Sequence, residues 1–407
     1  MSFKKTLISS IAAAAVATSA FAAVNVSNNN KGDYLNFPAY YATTDGWSTN
    51  IRVVNTNTTD AVVAKVVVRE YATSKELIDF PIYLSPGDVW TADLVNNGTT
   101  VNVVSSDDSS PEVPMNPALN DNNPLVGTTH GYVEVYAIAQ ANAAAIQTAA
   151  GTSGWAEFQQ LSKADIKAAF TLANAAIWNT PTETLFGQQV VTDTTTGSEK
   201  SMTLMATAIE VVDADDTQAW KSAANFANLF AGNTGPSIIW YPAVENDIRN
   251  AVLKTAVHTI NYTDAVGETQ VLLTQPFKHT NPSVVVGAGD VAPYFDTSAD
   301  EKAATGSEAL FYYNARPWDN MENTVNPPES IYSGADRDTP AHACATEICY
   351  IYTSDDANYA SGWVNYNLGL NAAGDAVTGQ IPTLHTVMTG VKVNGKGVVN
   401  MLQGAFE

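Results

Sequence analysis

The side chains that could do chemistry are few and scattered. Five histidines, His130, His258, His279, His342 and His385, stand far apart along the chain. A nucleophile and a base could still meet in space, as in a serine hydrolase, but nothing local marks such a pair. The chain has no G-x-S-x-G elbow, H-E-x-x-H helix, Walker loop or G-x-G-x-x-G turn. Gly151-Thr152-Ser153-Gly154 has the wrong spacing for an elbow, and Gly287-Ala288-Gly289 reads as a turn. Glycoside cleavage needs only two carboxylates at a set separation, and 41 acidic residues offer too many pairs for the sequence to choose. No catalytic residue is assigned, and a secreted hydrolase with a spatially assembled site is kept as an alternative.

Binding chemistry is better represented. Asp213-Ala214-Asp215-Asp216 is the densest acidic cluster. Its carboxylates could chelate calcium, the one cofactor the pattern admits, although the glycine and distal glutamate of an EF-hand loop are missing. The same residues would also suit the N-terminus of a following helix, where the helix dipole favours acids. Trp240, Tyr241, Trp318 and Trp363, with Tyr366, could stack on sugar rings; the competing reading makes them core or sheet-face aromatics. Cys344 and Cys349 are the two cysteines. In an oxidising compartment they read as a local disulfide closing a small loop or a hairpin end. A metal pair with His342 is the rival, but two Cys and one His make an incomplete zinc set.

These residues must be positioned by short runs of Val, Ile, Tyr and Thr broken by Asn, Asp, Gly and Pro. Residues 62–71 form the clearest strand, with Lys65, Val67, Arg69 and Tyr71 on one face and Ala64, Val66, Val68 and Glu70 on the other. That alternation predicts a sheet with one face buried. Asn55-Thr56-Asn57-Thr58-Thr59-Asp60 before it is turn chemistry and predicts a hairpin with the run 50–55. Ser162 to Asp165 resembles a capping box, followed by Ile166, Phe170, Ala173 and Ile177 at helical spacing. Further helices are predicted over 217–230 and from 242 or 243 to 255, with a strand over 201–212 between the first two. From residue 257 strands dominate again. The fold class is mainly β with some α: an antiparallel β-sandwich with a helical insertion in the middle of the chain. An outer-membrane barrel is the rival architecture.

Lys4 and Lys5, the small and apolar stretch 7–17, and Ala20-Phe21-Ala22 have the order of a cleavable signal peptide; a buried Ala-rich helix is the alternative. The division that follows is a signal peptide over 1–22, a flexible leader over 23–33, the first part of the sandwich over 34–136, the helical insertion over 137–255, and the second part over 256–407. No stretch after the leader has the roughly 18 apolar residues a membrane-spanning helix needs. The net charge of −22 repels phosphate backbones, which argues against a nucleic-acid partner.

Phe37-Pro38-Ala39-Tyr40-Tyr41, Trp47 to Thr56, Leu84 to Thr91, Gly131 to Val135 and Gly362-Trp363-Val364-Asn365 resemble blocks in exported β-rich proteins of Gram-negative bacteria without an assigned activity. The resemblance covers about half of the chain and implies export and strands, but no catalytic residues. Acidic composition poor in Cys and Met and rich in Ala, Val, Thr and Asn is also similar to that of surface-layer proteins. The expectation is an exported protein of the cell surface or medium, with the periplasm as another location. It would be structural and self-associating, as a surface-layer, sheath or filament subunit, with its own copies or surface glycans as partners. A carbohydrate-binding or adhesion protein is the alternative.

Overall fold

The computed structural model describes residues 24–44, 46–71, 76–107, 113–114, 128–152, 161–193, 200–211, 218–230, 239, 247–248, 251–254, 256–262, 267–275, 311–319, 342–344, 348–352, 361–368, 381–393 and 396–403. The expected signal peptide lies outside these residues.

The first half supplies β1 (Val24–Val26), β2 (Lys31–Gly32), β3 (Tyr34–Tyr41), β4 (Trp47–Asn55), β5 (Asp60–Glu70), β6 (Glu76–Leu84), β7 (Val89–Asn96), β8 (Val101–Val104), β9 (Val113–Pro114) and β10 (His130–Asn142). After α1 (Ala143–Ala150) and α2 (Lys163–Ala169) come β11 (Leu185–Asp193), β12 (Lys200–Met205), β13 (Thr207–Val211) and α3 (Ala223–Asn228). All pairings are antiparallel. Sheet A has the order β1-β13-β3-β10-β5-β6, and sheet B the order β12-β11-β4-β7-β8-β9 with β2 also on β11. The two sheets close on a shared apolar core that includes Leu35, Phe37, Val66 and Val135 from sheet A and Ile51, Val53, Trp90 and Leu94 from sheet B. The sandwich expected from the strand pattern is therefore present.

Several local expectations change. Asn55 to Asp60 is turn chemistry: Asn57 Oδ1 accepts from the backbone of Thr59 and Asp60, and Asn55 Nδ2 donates to the Asp60 and Ser85 carbonyls. It joins β4 of sheet B to β5 of sheet A, however, so it is a corner between layers and not a hairpin. The segment expected to be a flexible leader is paired: β1 lies on β13 and β2 on β11. The strand expected over 201–212 changes sheets at Ala206, whose N–H donates to the Gly187 carbonyl. Gly131 is required where β10 is irregular beside β3; a Cβ there would collide with the Arg69 carbonyl and press on the Tyr40 ring.

The largest correction concerns β5. Its outer face, expected to meet water, is buried along with the inner one: Lys65 and Arg69 are buried. The helical insertion covers it. Ile146 of α1, Ile166 and Ala169 of α2, and Phe170, Trp178 and Trp220 pack on Val63, Val67, Tyr136 and Ile138 of sheet A. Ser162 caps α2 as expected, its Oγ accepting from the Asp165 N–H at 3.1 Å. The predicted helix breaks at Phe170 and resumes as a 3-10 turn over Leu172–Ile177. The second predicted helix is likewise split, into a 3-10 turn over Ala219–Lys221 and α3. Most of the third lies outside the described residues.

The second half forms β14 (Leu253–Lys254), β15 (Ala256–Tyr262), β16 (Gly267–Thr274), β17 (Phe311–Asp319), β18 (His342–Cys344), β19 (Ile348–Tyr352), β20 (Ser361–Leu368), β21 (Ile381–Pro382), β22 (Leu384–Val393) and β23 (Lys396–Gln403). They make a β14-β21 pair and two four-stranded sheets, D in the order β15-β20-β17-β18 and E in the order β19-β16-β22-β23. Sheet E meets the sandwich through Leu272, which packs with Ala39, Tyr132 and Leu204, and through Thr274, whose hydroxyl donates to the Pro38 carbonyl at 3.1 Å. Among the described residues, no helix is long and apolar enough to cross a membrane.

Candidate functional site

The buried charges are the first place to look for chemistry. Glu134 on β10 pairs with Arg69 on β5, accepts a hydrogen bond from the Tyr34 hydroxyl at 2.7 Å, and lies near Asn36, which donates to that hydroxyl at 3.0 Å. Lys65 pairs with Asp79 on β6 and donates to the Leu229 carbonyl at 3.0 Å. Burial works against the Arg69 cation, but Glu134 beside it overrides that and holds the guanidinium protonated. Burial, reinforced by Glu134, pushes the Tyr34 phenol well above its usual range. Each base faces an acid, and the helical layer closes over them. Such matched pairs tie neighbouring strands of sheet A together; they offer no open position to a substrate.

His130 is held neutral, its pKa lowered to about 4 by burial, and its ring stacks on Tyr71 at 3.8 Å. The two rings spend their faces on each other. His385 is buried on β22. His258 lies on β15 and His342 on β18, while His279 lies outside the described residues. Among the described residues, no group of three His, Cys, Asp or Glu side chains could hold a metal ion.

Asp213, Asp215 and Asp216 lie outside the described residues, as do Trp240 and Tyr241. The first described helical turn after the aspartates is the 3-10 turn Ala219–Lys221. Cys344 pairs with Phe311 in sheet D, and Cys349 with Leu273 in sheet E. The cysteines therefore flank the passage from one sheet to the other and not the end of a hairpin.

The remaining candidates come together. Trp318 of β17 and Trp363 of β20 are register partners. The ladder continues without a bulge through Arg316 opposite Asn365 and Asn314 opposite Asn367. On the other side of β20, Ile260 pairs with Trp363, His258 with Asn365 and Ala256 with Asn367. Directly opposed residues in a pleated sheet share a face, and so do alternate residues along a strand. One face of sheet D thus holds Trp318, Trp363, Arg316, His258, Asn314, Asn365 and Asn367, together with Ala256, Ile260 and Tyr312. The other holds Val257, Ala315, Val364, Tyr366 and Leu368.

Burial along β20 identifies the covered side. Tyr366 and Leu368 are buried, whereas Asn365 and Asn367 are half-buried. Asn365 Nδ2 donates to Asn367 Oδ1 at 3.2 Å, and Asn365 Oδ1 is buried without a hydrogen-bond partner among the described residues. By register, that face brings Trp318 and Trp363 onto the same side as Asn365 and Asn367. Sequence reasoning singled out the two tryptophans but missed Arg316, His258 and the three asparagines. The signal was available in the period-2 spacing of Asn314-x-Arg316-x-Trp318 and Trp363-x-Asn365-x-Asn367; only the register between the two runs was not.

A search against protein-family models finds no match for this chain, and no curated protein matches it.

Proposed function

We propose that this is an exported carbohydrate-binding protein of the cell surface or medium, with the face of sheet D that carries Trp318 and Trp363 as its glycan site. The observation that carries the reading is the register of Trp318 with Trp363 beside an asparagine ladder. Paired indoles supply flat apolar area for the C–H face of a pyranose, and amides supply donors and acceptors for its hydroxyls. On β20 the opposite face is the more deeply buried one, Tyr366 and Leu368 being covered while Asn365 and Asn367 are half-buried, which supports the reading. A printed glycan array followed by calorimetry on the best ligand tests it. Trp363→Ala and Trp318→Ala are expected to weaken that binding at least about tenfold each, with the melting transition retained. A folded wild-type protein that binds no glycan on the array would end this reading.

Self-association as a surface layer, sheath or filament is the second reading. It is favoured by β15, an end strand of seven residues without proline. Three of the four end strands of the sandwich sheets are blunter: β1 has three residues, β9 has two, and β6 carries Pro81; β12 has six without proline. An exposed, unblocked edge is a template for a second chain. Electron microscopy of the mature protein with and without calcium tests it, and only single monomers under both conditions would count against it.

A further inference from the structure

We infer that Lys65 and Asp79 become joined by an intramolecular amide bond between Lys65 Nζ and Asp79 Cγ, a covalent tie across the β5–β6 hairpin that is independent of the glycan reading. The two residues stand on adjacent strands, where Lys65 is opposite Pro81 and Asp79 is opposite Val67. They are therefore diagonal neighbours on one face, a separation that a lysine side chain spans. Their side chains meet as an ion pair and are only 1% and 3% exposed. Leu229, beyond α3 in the helical insertion, offers its carbonyl to Lys65 at 3.0 Å, so the cover reaches the pair. Asp79 Oδ2 receives no hydrogen bond from the described residues. The carboxyl group thus has an amine beside it and no donor that fixes this oxygen in place.

Two other sets of charges show why this pair is singled out. Arg69 beside Glu134 is as well buried, but a guanidinium stays protonated and delocalised and is no nucleophile. Lys163 between Asp88 and Asp107 has an amine, but its side chain is 16% exposed and water hydrates the charges. Of the three, only Lys65 with Asp79 combines an amine, a carboxyl group and the exclusion of water. Burying an ammonium and a carboxylate is costly even when they pair, and condensation replaces both charges with a neutral amide. The pair holds every atom the step needs. Two protons leave the nitrogen, its lone pair attacks Cγ, and a Cγ–O bond breaks with its electrons, so that the oxygen departs as water carrying both protons. Tyr136, directly opposite Lys65 in register, and Glu134, two residues before it on the same face, are the groups placed to relay a proton. Fixed proximity supplies the rate, and a dry interior keeps water from reversing the reaction. The amide closes residues 65–79 into a ring and fastens β6, an end strand of sheet A, to β5.

Intact mass spectrometry of the reduced protein, set against the mass calculated from its measured N-terminus, tests this. The chain is expected to be lighter by one water. Trypsin cuts after Arg69 and Lys75, which lie between the two residues, so unlinked segments would separate. A branched species that joins the peptide with Lys65 to the peptide with Asp79 is expected, with no cleavage after Lys65. Lys65→Met and Asp79→Ala should each restore the calculated mass, with folding followed by circular dichroism. An unshifted wild-type mass with Lys65 open to trypsin would overturn the inference, and so would a water loss that survives in either variant. The peptide map of the wild type decides the matter even if both variants fail to fold.

Discussion

Sheets A and D both alternate polar and apolar residues, yet the two polar faces have different fates. In sheet A the polar face pairs each base with an acid, Arg69 with Glu134 and Lys65 with Asp79, and the helical insertion buries it. In sheet D the corresponding face carries, by register, two tryptophans, three asparagines and an arginine, and Asn365 and Asn367 on it are half-buried. Alternation alone states which residues share a face. A matched set such as that of sheet A can be covered, because each buried charge keeps a partner.

The strongest way to break this contrast is to unmatch sheet A. Arg69→Met leaves Glu134 buried with the Tyr34 hydroxyl as a neutral partner. A cost of about 3–5 kcal/mol is expected, the usual penalty for stranding one member of a buried pair. Adding Glu134→Leu should recover much of it, but not all, because Tyr34 then loses its acceptor. Denaturant unfolding of the two single variants and the double variant gives the coupling directly. The parallel change in sheet D, Arg316→Met, should alter stability little. A large loss there would show that Arg316 is structural too.

A second test uses protons. Asp33, next to β3, is buried and accepts from the Val211 N–H of β13 at 3.1 Å. Burial, opposed by that bond and others from the backbone, raises its pKa from 3.8 to about 7. The folded form therefore holds a proton that the unfolded chain releases. Its stabilising contribution is complete below about pH 4 and is lost as pH rises through about 7. Between about pH 4 and pH 8 the effect is at most about 4 kcal/mol. Hydrogen exchange at Val211 and along β1, corrected for intrinsic rates, should show weaker protection at about pH 8 than at about pH 5. Asp33→Asn should remove most of that dependence. Equal slopes in the two proteins would mean that Asp33 is not the group responsible.

The sequence makes the strands legible because β-branched runs between Asn, Asp and Gly have few other solutions; the sandwich class and the position of the helices follow from it. It does not reveal what covers a strand. Lys65 and Arg69 in β5 read as the face turned to water, and only the distant helical segments folded over them make them interior. Turn chemistry was readable at Asn55 to Asp60, but a turn between sheets and a turn within a hairpin use the same Asx bonds. The candidate site was half readable for a similar reason. Two tryptophans attract attention singly, whereas the asparagines and Arg316 gain meaning from a register set by hydrogen bonds between segments about fifty residues apart.

The smallest expected effect probes the cover itself. The Ser162 hydroxyl satisfies the Asp165 N–H at the exposed start of α2, and Ile166 and Ala169 of that helix lie in the cluster over sheet A. Ser162→Ala removes the cap without touching that cluster, so about 1 kcal/mol should be lost. If α2 is a firmly packed lid over the charged face, the loss will appear in global unfolding and the amides of β5 and β10 will keep their protection. If the lid instead opens on its own, exchange will rise selectively in α2 and then at Lys65 and Glu134, as water reaches the pairs beneath. That outcome would narrow the contrast between the sheets, because the polar face of sheet A would then also be a surface the molecule can present.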